Sequence, residues 1–193
     1  KHWSYNREKR KFELILGRRQ AGFLIASQDS KTFDDPGIFR ELELVNKIRQ
    51  RVDDWRANDY PNITGVTKQL LKFWHDGTRR INPFFFCQLE AIETLIWLIE
   101  AHDSEKQGLD IPSDGGQFER LLCKMATGTG KTIVMAMLIA WQVINKATYP
   151  KDTRFTKRIL IMAPGLTVKS RLKVLFPTDK NNFYDQFNIV PDT

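Results

Sequence analysis

The stretch Met125-Ala126-Thr127-Gly128-Thr129-Gly130-Lys131-Thr132 constrains this chain more than any other. An apolar run of strand length, Leu121 to Met125, leads into it, and a helix-periodic stretch from about Gly130 to Ile144 leaves it. Glycines at 128 and 130 allow backbone dihedrals closed to other residues and a close approach to a ligand. Successive N–H groups can then converge on an anion, and the following helix adds the positive end of its dipole. Lys131 supplies a mobile point charge for phosphate oxygens, and the Thr132 hydroxyl suits a hard cation bridging the same oxygens. Thr127, Gly128, Thr129, Gly130, Lys131 and Thr132 are therefore the candidate cradle for a nucleotide's phosphates, with Mg²⁺ reached through Thr132. Lys131 and Thr132 are the catalytic candidates.

A strand–turn–helix unit of this kind is built into a parallel sheet. Arg158 to Ala163 predicts a second buried strand, Leu166 to Leu175 a second short helix, and Phe187 to Val190 a third strand. The expected fold class is α/β, with a nucleotide-domain core over 84–193 and an extension, mainly helical with a short hairpin, over 1–83. In the extension, the apolar runs Phe12 to Gly17 and Ala21 to Ala26 predict a β-hairpin with each other. Residues 27–37 read as a loop. Leu42, Val45, Ile48, Val52 and Trp55 recur at helical spacing and predict a helix over 38–57; a short helix over 66–76 follows. Residues 86–101 predict a strongly apolar helix whose polar stripe is Glu90, Glu93 and Glu100. Residues 102–117 read as an exposed loop and 145–157 as a polar linker.

Composition narrows the function classes. At 193 residues and 41% hydrophobic content the chain can bury a core without disulfide or metal staples. The formal charge of +7 is compatible with a polyanionic partner without demanding one. Cys87 and Cys123 lack CxxC spacing and predict buried thiols of a cytosolic protein. Three histidines and two cysteines form no metal-ligand pattern. No apolar run approaches the ~18 residues of a membrane span, and no basic-then-apolar leader opens the chain, so a cytoplasmic location without membrane contact is expected. The missing initiator Met suggests a piece of something longer.

Ala126-Thr127-Gly128-Thr129-Gly130-Lys131-Thr132 resembles motif I, the P-loop or Walker A segment, of superfamily 2 helicases and translocases. Met125 stands where the strict pattern G-x-x-x-x-G-K-[ST] has glycine, which weighs against a small-molecule kinase. Phe84-Phe85-Phe86-Cys87-Gln88-Leu89-Glu90-Ala91 is similar to the region where that superfamily reads adenine. The resemblance gives Gln88 the adenine edge and lets Phe86 or Phe85 pack near the base; an amide both donates and accepts. Ile161-Met162-Ala163-Pro164-Gly165-Leu166-Thr167-Val168 resembles motif Ia, which grips a nucleic-acid backbone. It implies DNA contacts from Pro164, Gly165 and Thr167, with Lys169 and Arg171 supplying charge.

Together with Asn182-Phe183-Tyr184-Asp185-Gln186-Phe187, these segments look most like the helicase subunit of type III restriction enzymes. That resemblance implies a partial RecA-like domain, ATP and Mg²⁺ as cofactors, and DNA as partner. It also implies a second RecA-like domain in the same polypeptide and a possible modification methyltransferase subunit. The carboxylate pair of the DExx box and the arginine finger have no counterpart after Thr132. Asp34-Asp35 and Asp53-Asp54 precede the loop and read as a loop and a solvated helix face. Asp192 has no partner for a nuclease site, and no Glu-x-Lys occurs. ATP binding with negligible turnover is thus expected of these residues. The alternatives are a P-loop kinase acting on a small molecule, and a non-catalytic nucleic-acid-binding module using the basic residues 1–20.

Overall fold

Helices dominate the computed structural model, which describes residues 1–6, 8–26, 37–113, 115–118 and 120–191. Apart from Gly37, the residues expected as a loop over 27–37, Asp34-Asp35 among them, lie outside the described residues, as does Asp192. The described chain forms two compact units, Lys1–Gln50 with Leu109–Ile111, and Arg51–Gly108 with Pro112–Thr193.

The first unit holds two antiparallel pairs. Strand β1, His2–Asn6, pairs with β2, Lys11–Ile15, and β3, Gly22–Ile25, pairs with β4, Ile38–Glu41. The hairpin expected between 12–17 and 21–26 does not form, because each run pairs with a segment outside it. The helix expected over 38–57 begins only at Glu43; α1 spans Glu43–Ala57. Ile38 and Phe39 belong to strand β4, a β-branched and an aromatic residue whose side chains suit a pleated surface. The join is pinned at Ala21, whose carbonyl accepts from Leu42 N at 2.9 Å and from Asn46 Nδ2 at 3.2 Å. The Ala21 amide donates to Asn46 Oδ1 at 2.8 Å.

The second unit is helical. Helix α2 covers Gly65–His75, α3 Phe86–Glu100, α4 Asp103–Lys106 and α5 Lys131–Thr148. Short helices α6, Leu166–Arg171, and α7, Phe183–Gln186, follow, with a 3₁₀ turn at Leu172–Leu175. Thr64 caps α2 by accepting from Thr67 N at 3.0 Å. Between α1 and α2 the chain turns through Asp59, Tyr60 and Asn62, all left-handed at φ 60°, 56° and 65°. A bulky residue strains there. Tyr60 is held by its hydroxyl donating to Glu93 at 2.7 Å and by edge contact with Trp55 at 4.9 Å. Val134, Met137 and Trp141 recur at helical spacing on α5 and are buried with Leu70, Leu71 and Trp74 of α2 and Ile92, Ile96 and Trp97 of α3. Each of these large side chains contributes roughly 1.5–3 kcal/mol by leaving water.

The expected parallel sheet is absent among the described residues, whose only ladders are the two antiparallel pairs. Residues 121–125 and 158–163 carry no ladder, and Leu122 and Leu160 are 94% and 85% exposed. A parallel strand needs neighbours on its edges and helices over both faces; neither segment has a pairing strand among the described residues. Residues 187–190 are likewise no strand. Asn188 is left-handed, and Ile189 is buried with its carbonyl accepting from Trp74 Nε1 at 2.8 Å. Arg80 fastens the same segment, donating to the carbonyls of Phe187 at 3.2 Å and Asn188 at 2.8 Å while its guanidinium lies against Phe73 and Phe84. No described helix is long and apolar enough to cross a membrane.

Candidate functional site

The Gly-rich stretch forms a tight turn that opens α5. Gly128 and Gly130 are both left-handed, at φ +80° and +77°. Gly130 is the N-cap of α5, and a Cβ there would run into Gln88 Nε2, so a side chain at this position requires the Gln88 amide to move as well as a strained φ. At Gly128 a Cβ would meet open space, so the demand there is conformational alone. The Thr129 hydroxyl closes the turn by donating to the Ala126 carbonyl at 2.7 Å. Lys131 folds back over the loop, its Nζ donating to Ala126 O at 2.9 Å and Met125 O at 3.3 Å. Within α5 the first amides bonded to Gly130 O are those of Ile133 and Val134, at 2.9 and 3.3 Å. The N–H groups of Lys131 and Thr132 precede the helical ladder, as the first turn of any helix requires. The arrangement presents a bent backbone, a helix N-terminus, a primary ammonium and a hydroxyl at one exposed loop. It is chemically suited to a polyphosphate.

Helix α3 supports this loop from one side. Gln88 is 2% exposed and both ends of its amide are engaged. Its Oε1 accepts from Phe85 N at 2.8 Å, the back-reaching half of a capping box, and its Nε2 donates to Thr129 O at 3.1 Å. Cys87 Sγ lies 4.0 Å from the same carbonyl. Gln88, expected at the adenine edge, is therefore a tie between α3 and the glycine turn in this conformation. Phe85 and Phe86 are exposed at the start of α3.

Sequence reasoning missed what holds α3 in place. Glu93 and Glu100, expected on a polar stripe, are buried. Glu93 accepts from Arg56 Nε at 2.8 Å and again from its Nη2, from the Tyr60 hydroxyl, and lies 2.9 Å from His75 Nε2. Burial alone would push the Glu93 carboxyl up; hydrogen bonds from His75 and Arg56, with the His75 charge and the Tyr60 hydroxyl, outweigh it and hold the group at about 2. The bond to Glu93, opposed by burial, raises the Arg56 guanidinium further, and burial followed by the Glu93 charge raises the Tyr60 phenol. Glu100 accepts from the Thr67 hydroxyl at 2.6 Å, Trp141 Nε1 at 2.7 Å and Thr64 N at 3.1 Å. These partners lie 18 to 41 residues away in sequence, so only the seven-residue spacing of the two acids hinted at a shared buried face.

The remaining candidates lie elsewhere. Pro164 and Gly165 form a bend before α6, with Gly165 extended, and Thr167, Lys169 and Arg171 are exposed along that helix. No hydrogen bond among the described residues joins 164–171 to the glycine turn. Cys123 is exposed and Cys87 half-buried, both as free thiols, which corrects the expectation of two buried ones. No described group of three His, Cys, Asp or Glu can hold a metal. A phosphate-bound Mg²⁺ takes most of its ligands from water and phosphate oxygens, and the Thr132 hydroxyl is of the chemical kind that would complete such a set.

A family model described as type III restriction enzyme, res subunit, matches residues 83–189, more than half the chain. No curated protein and no solved structure matches the chain. The matched span takes in the Gln88 tie, the glycine turn and the exposed helix α6, and on that span the chain belongs to the family of the type III restriction enzyme res subunit.

Proposed function

We propose that this chain supplies the ATP-binding cradle of a helicase-like, DNA-dependent ATPase of restriction type. The observation that carries the reading is the left-handed Gly128–Gly130 turn at the N-terminus of α5, with the Lys131 ammonium laid over it. In this reading an incoming triphosphate replaces the Met125 and Ala126 carbonyls as the partner of Lys131. Amides of the first turn of α5 take the remaining phosphate oxygens, and Mg²⁺, when bound with ATP, neutralises the β- and γ-phosphates. Thr132 orients that ion through its hydroxyl. Gln88 fixes the loop from behind, and Phe86 is within reach of a base seated at the start of α3. Hydrolysis also needs a carboxylate to orient water and a cation at the γ-phosphate. None of the loop residues is acidic, so binding without turnover is proposed for residues 1–193. Helix α6 offers Thr167, Lys169 and Arg171, with Pro164 and Gly165, to a DNA backbone. Residues 84–193 are proposed as the RecA-like part and 1–83 as its extension.

Titration of a fluorescent ATP analogue into the native chain and Lys131→Ala tests the cradle. Losing a charge-assisted contact worth about 1.5–3 kcal/mol predicts roughly 10- to 100-fold weaker binding. Equal affinity in the two proteins would remove the nucleotide reading.

A further inference from the structure

The β1–β2 hairpin carries an unpartnered aromatic face. Its register sets Trp3 opposite Leu14 and Tyr5 opposite Phe12, so these four side chains share one side of the ribbon. All four are exposed, Trp3 at 62% and Phe12 at 66%, and the Tyr5 and Phe12 rings meet edge to face at 5.1 Å. The opposite side carries His2, Ser4, Asn6, Lys11, Glu13 and one apolar residue, Ile15. There Glu13 accepts from Asn6 Nδ2 at 3.0 Å and pairs with Lys9 at 3.0 Å and Lys11 at 3.9 Å. These bonds hold its carboxyl below the usual range, so the acid stays charged, paired and away from the rings.

Charge and ring type together select the occupant. Residues 1–20 carry Lys1, Arg7, Lys9, Arg10, Lys11, Arg18 and Arg19 against Glu8 and Glu13; Lys9 and Lys11 pair with Glu13 on the side away from the rings, so they add to the net charge of the segment rather than to the ring face. A basic surround favours a polyanion. Three of the four apolar residues are flat rings rather than branched aliphatics, which suits stacking on planar bases more than packing in a protein groove. Trp3 and Tyr5 stand two residues apart, about 6.8 Å along a strand. That leaves room for one base, with its ~3.4 Å stacking thickness, beside each ring. Duplex DNA hides its base faces in the stack; a single strand exposes them.

We propose that the Trp3–Tyr5–Phe12–Leu14 face of the β1–β2 hairpin is a stacking platform for single-stranded nucleic acid, apart from the α6 contact and independent of the ATP cradle. Its cations neutralise phosphates and its rings receive bases without reading sequence. The platform gives the chain a hold on a strand that no step at the glycine turn requires.

The hairpin contains its own reporter. Trp55, Trp74, Trp97 and Trp141 are buried, which leaves Trp3 as the one exposed indole among five. Oligo(dT) added to the 193-residue chain at low salt should quench the Trp3 emission and bind with an affinity that falls as salt rises. Trp3→Ala and Phe12→Ala should each weaken binding about tenfold or more, while Trp3→Phe keeps most of the affinity and loses the exposed-indole quench. Duplex of the same length should bind more weakly and leave Trp3 unquenched. Lys131→Ala should leave all of this unchanged. Equal oligo(dT) affinity in wild type and both alanine variants overturns the platform while sparing the α6 contact; no nucleic-acid binding at low salt overturns both. A concentration-dependent dimer that Trp3→Ala abolishes, with no effect of oligo(dT), assigns the face to a second copy and also overturns the proposal.

Discussion

A side chain at Gly130 meets two separate obstacles, the left-handed φ and the Gln88 amide, which must leave the place of a Cβ. Gly130→Ala should therefore displace Gln88 and abolish detectable binding of an ATP analogue, with the helical core still folded by circular dichroism; unchanged affinity would refute the close approach. Gln88 is the more discriminating position. Its Nε2 is bonded to Thr129 O, and a residue that acts through this tie serves the loop whichever base is bound. Gln88→Ala is then expected to weaken ATP and GTP analogues alike, by several-fold. A loss confined to ATP would return Gln88 to the adenine edge. The glycine turn was legible because its requirements are local: two left-handed positions, a lysine and a helix start, all contiguous. The partner of Gln88 lies 41 residues on, and the reach of one buried side-chain amide leaves no mark in a sequence pattern.

Among the elements, α3 explains why the turn stays in place. Its two buried acids are fastened by α1 through Arg56, by α2 through His75 and Thr67, and by α5 through Trp141. Such a buried carboxylate is costly unless fully satisfied, and removing one partner is worse than never having had the pair. The Glu93 carboxyl titrates near 2 in the fold against an ordinary 4.5, so its contribution is complete above about pH 5 and is lost as pH falls toward 2. By linkage it amounts to roughly 3 kcal/mol. Urea unfolding followed between pH 6 and 2.5 should show this acid-side loss. In Glu93→Gln the stability should be lower at pH 6, since Arg56 loses its buried counter-charge, and the acid-side slope flatter. Equal slopes in the two proteins would contradict the assignment. Helix cores over 43–57, 66–75, 86–100 and 131–144 were visible in apolar spacing; α5 runs on from Asn145 to Thr148 into residues expected as a polar linker, with Asn145 buried and bonded to Trp141 O and Thr67. Strand pairing was not. Apolar runs at 12–17 and 21–26 announce strands but not their partners, and nothing local says that β3 pairs with β4, whose first residue lies 13 positions after the last of β3.

For the whole molecule, the missing parallel ladder is the chief departure from the sequence-based expectation. Leu121–Met125 and Arg158–Ala163 have strand composition, but a ladder is a relation between segments, and no other described segment pairs with them. Residues 187–189 are held instead by side chains. Arg80 donates to four carbonyls, those of Phe73, Asp76, Phe187 and Asn188, and so ties residues 187–188 to the end of α2. Arg80→Ala should cost about 2–4 kcal/mol in urea unfolding, and Arg80→Lys should recover little, because an ammonium cannot span the fork. Full recovery by lysine would show that charge alone suffices.

The central claim is that the turn from Met125 to Thr132 receives a triphosphate. Amide chemical shifts of the native chain, recorded while Mg²⁺ and a non-hydrolysable ATP analogue are added, test it most directly. The account predicts saturable shifts at Gly128 to Thr132 that Lys131→Ala suppresses. Shifts confined to other segments, or none in this turn at millimolar nucleotide, would contradict it.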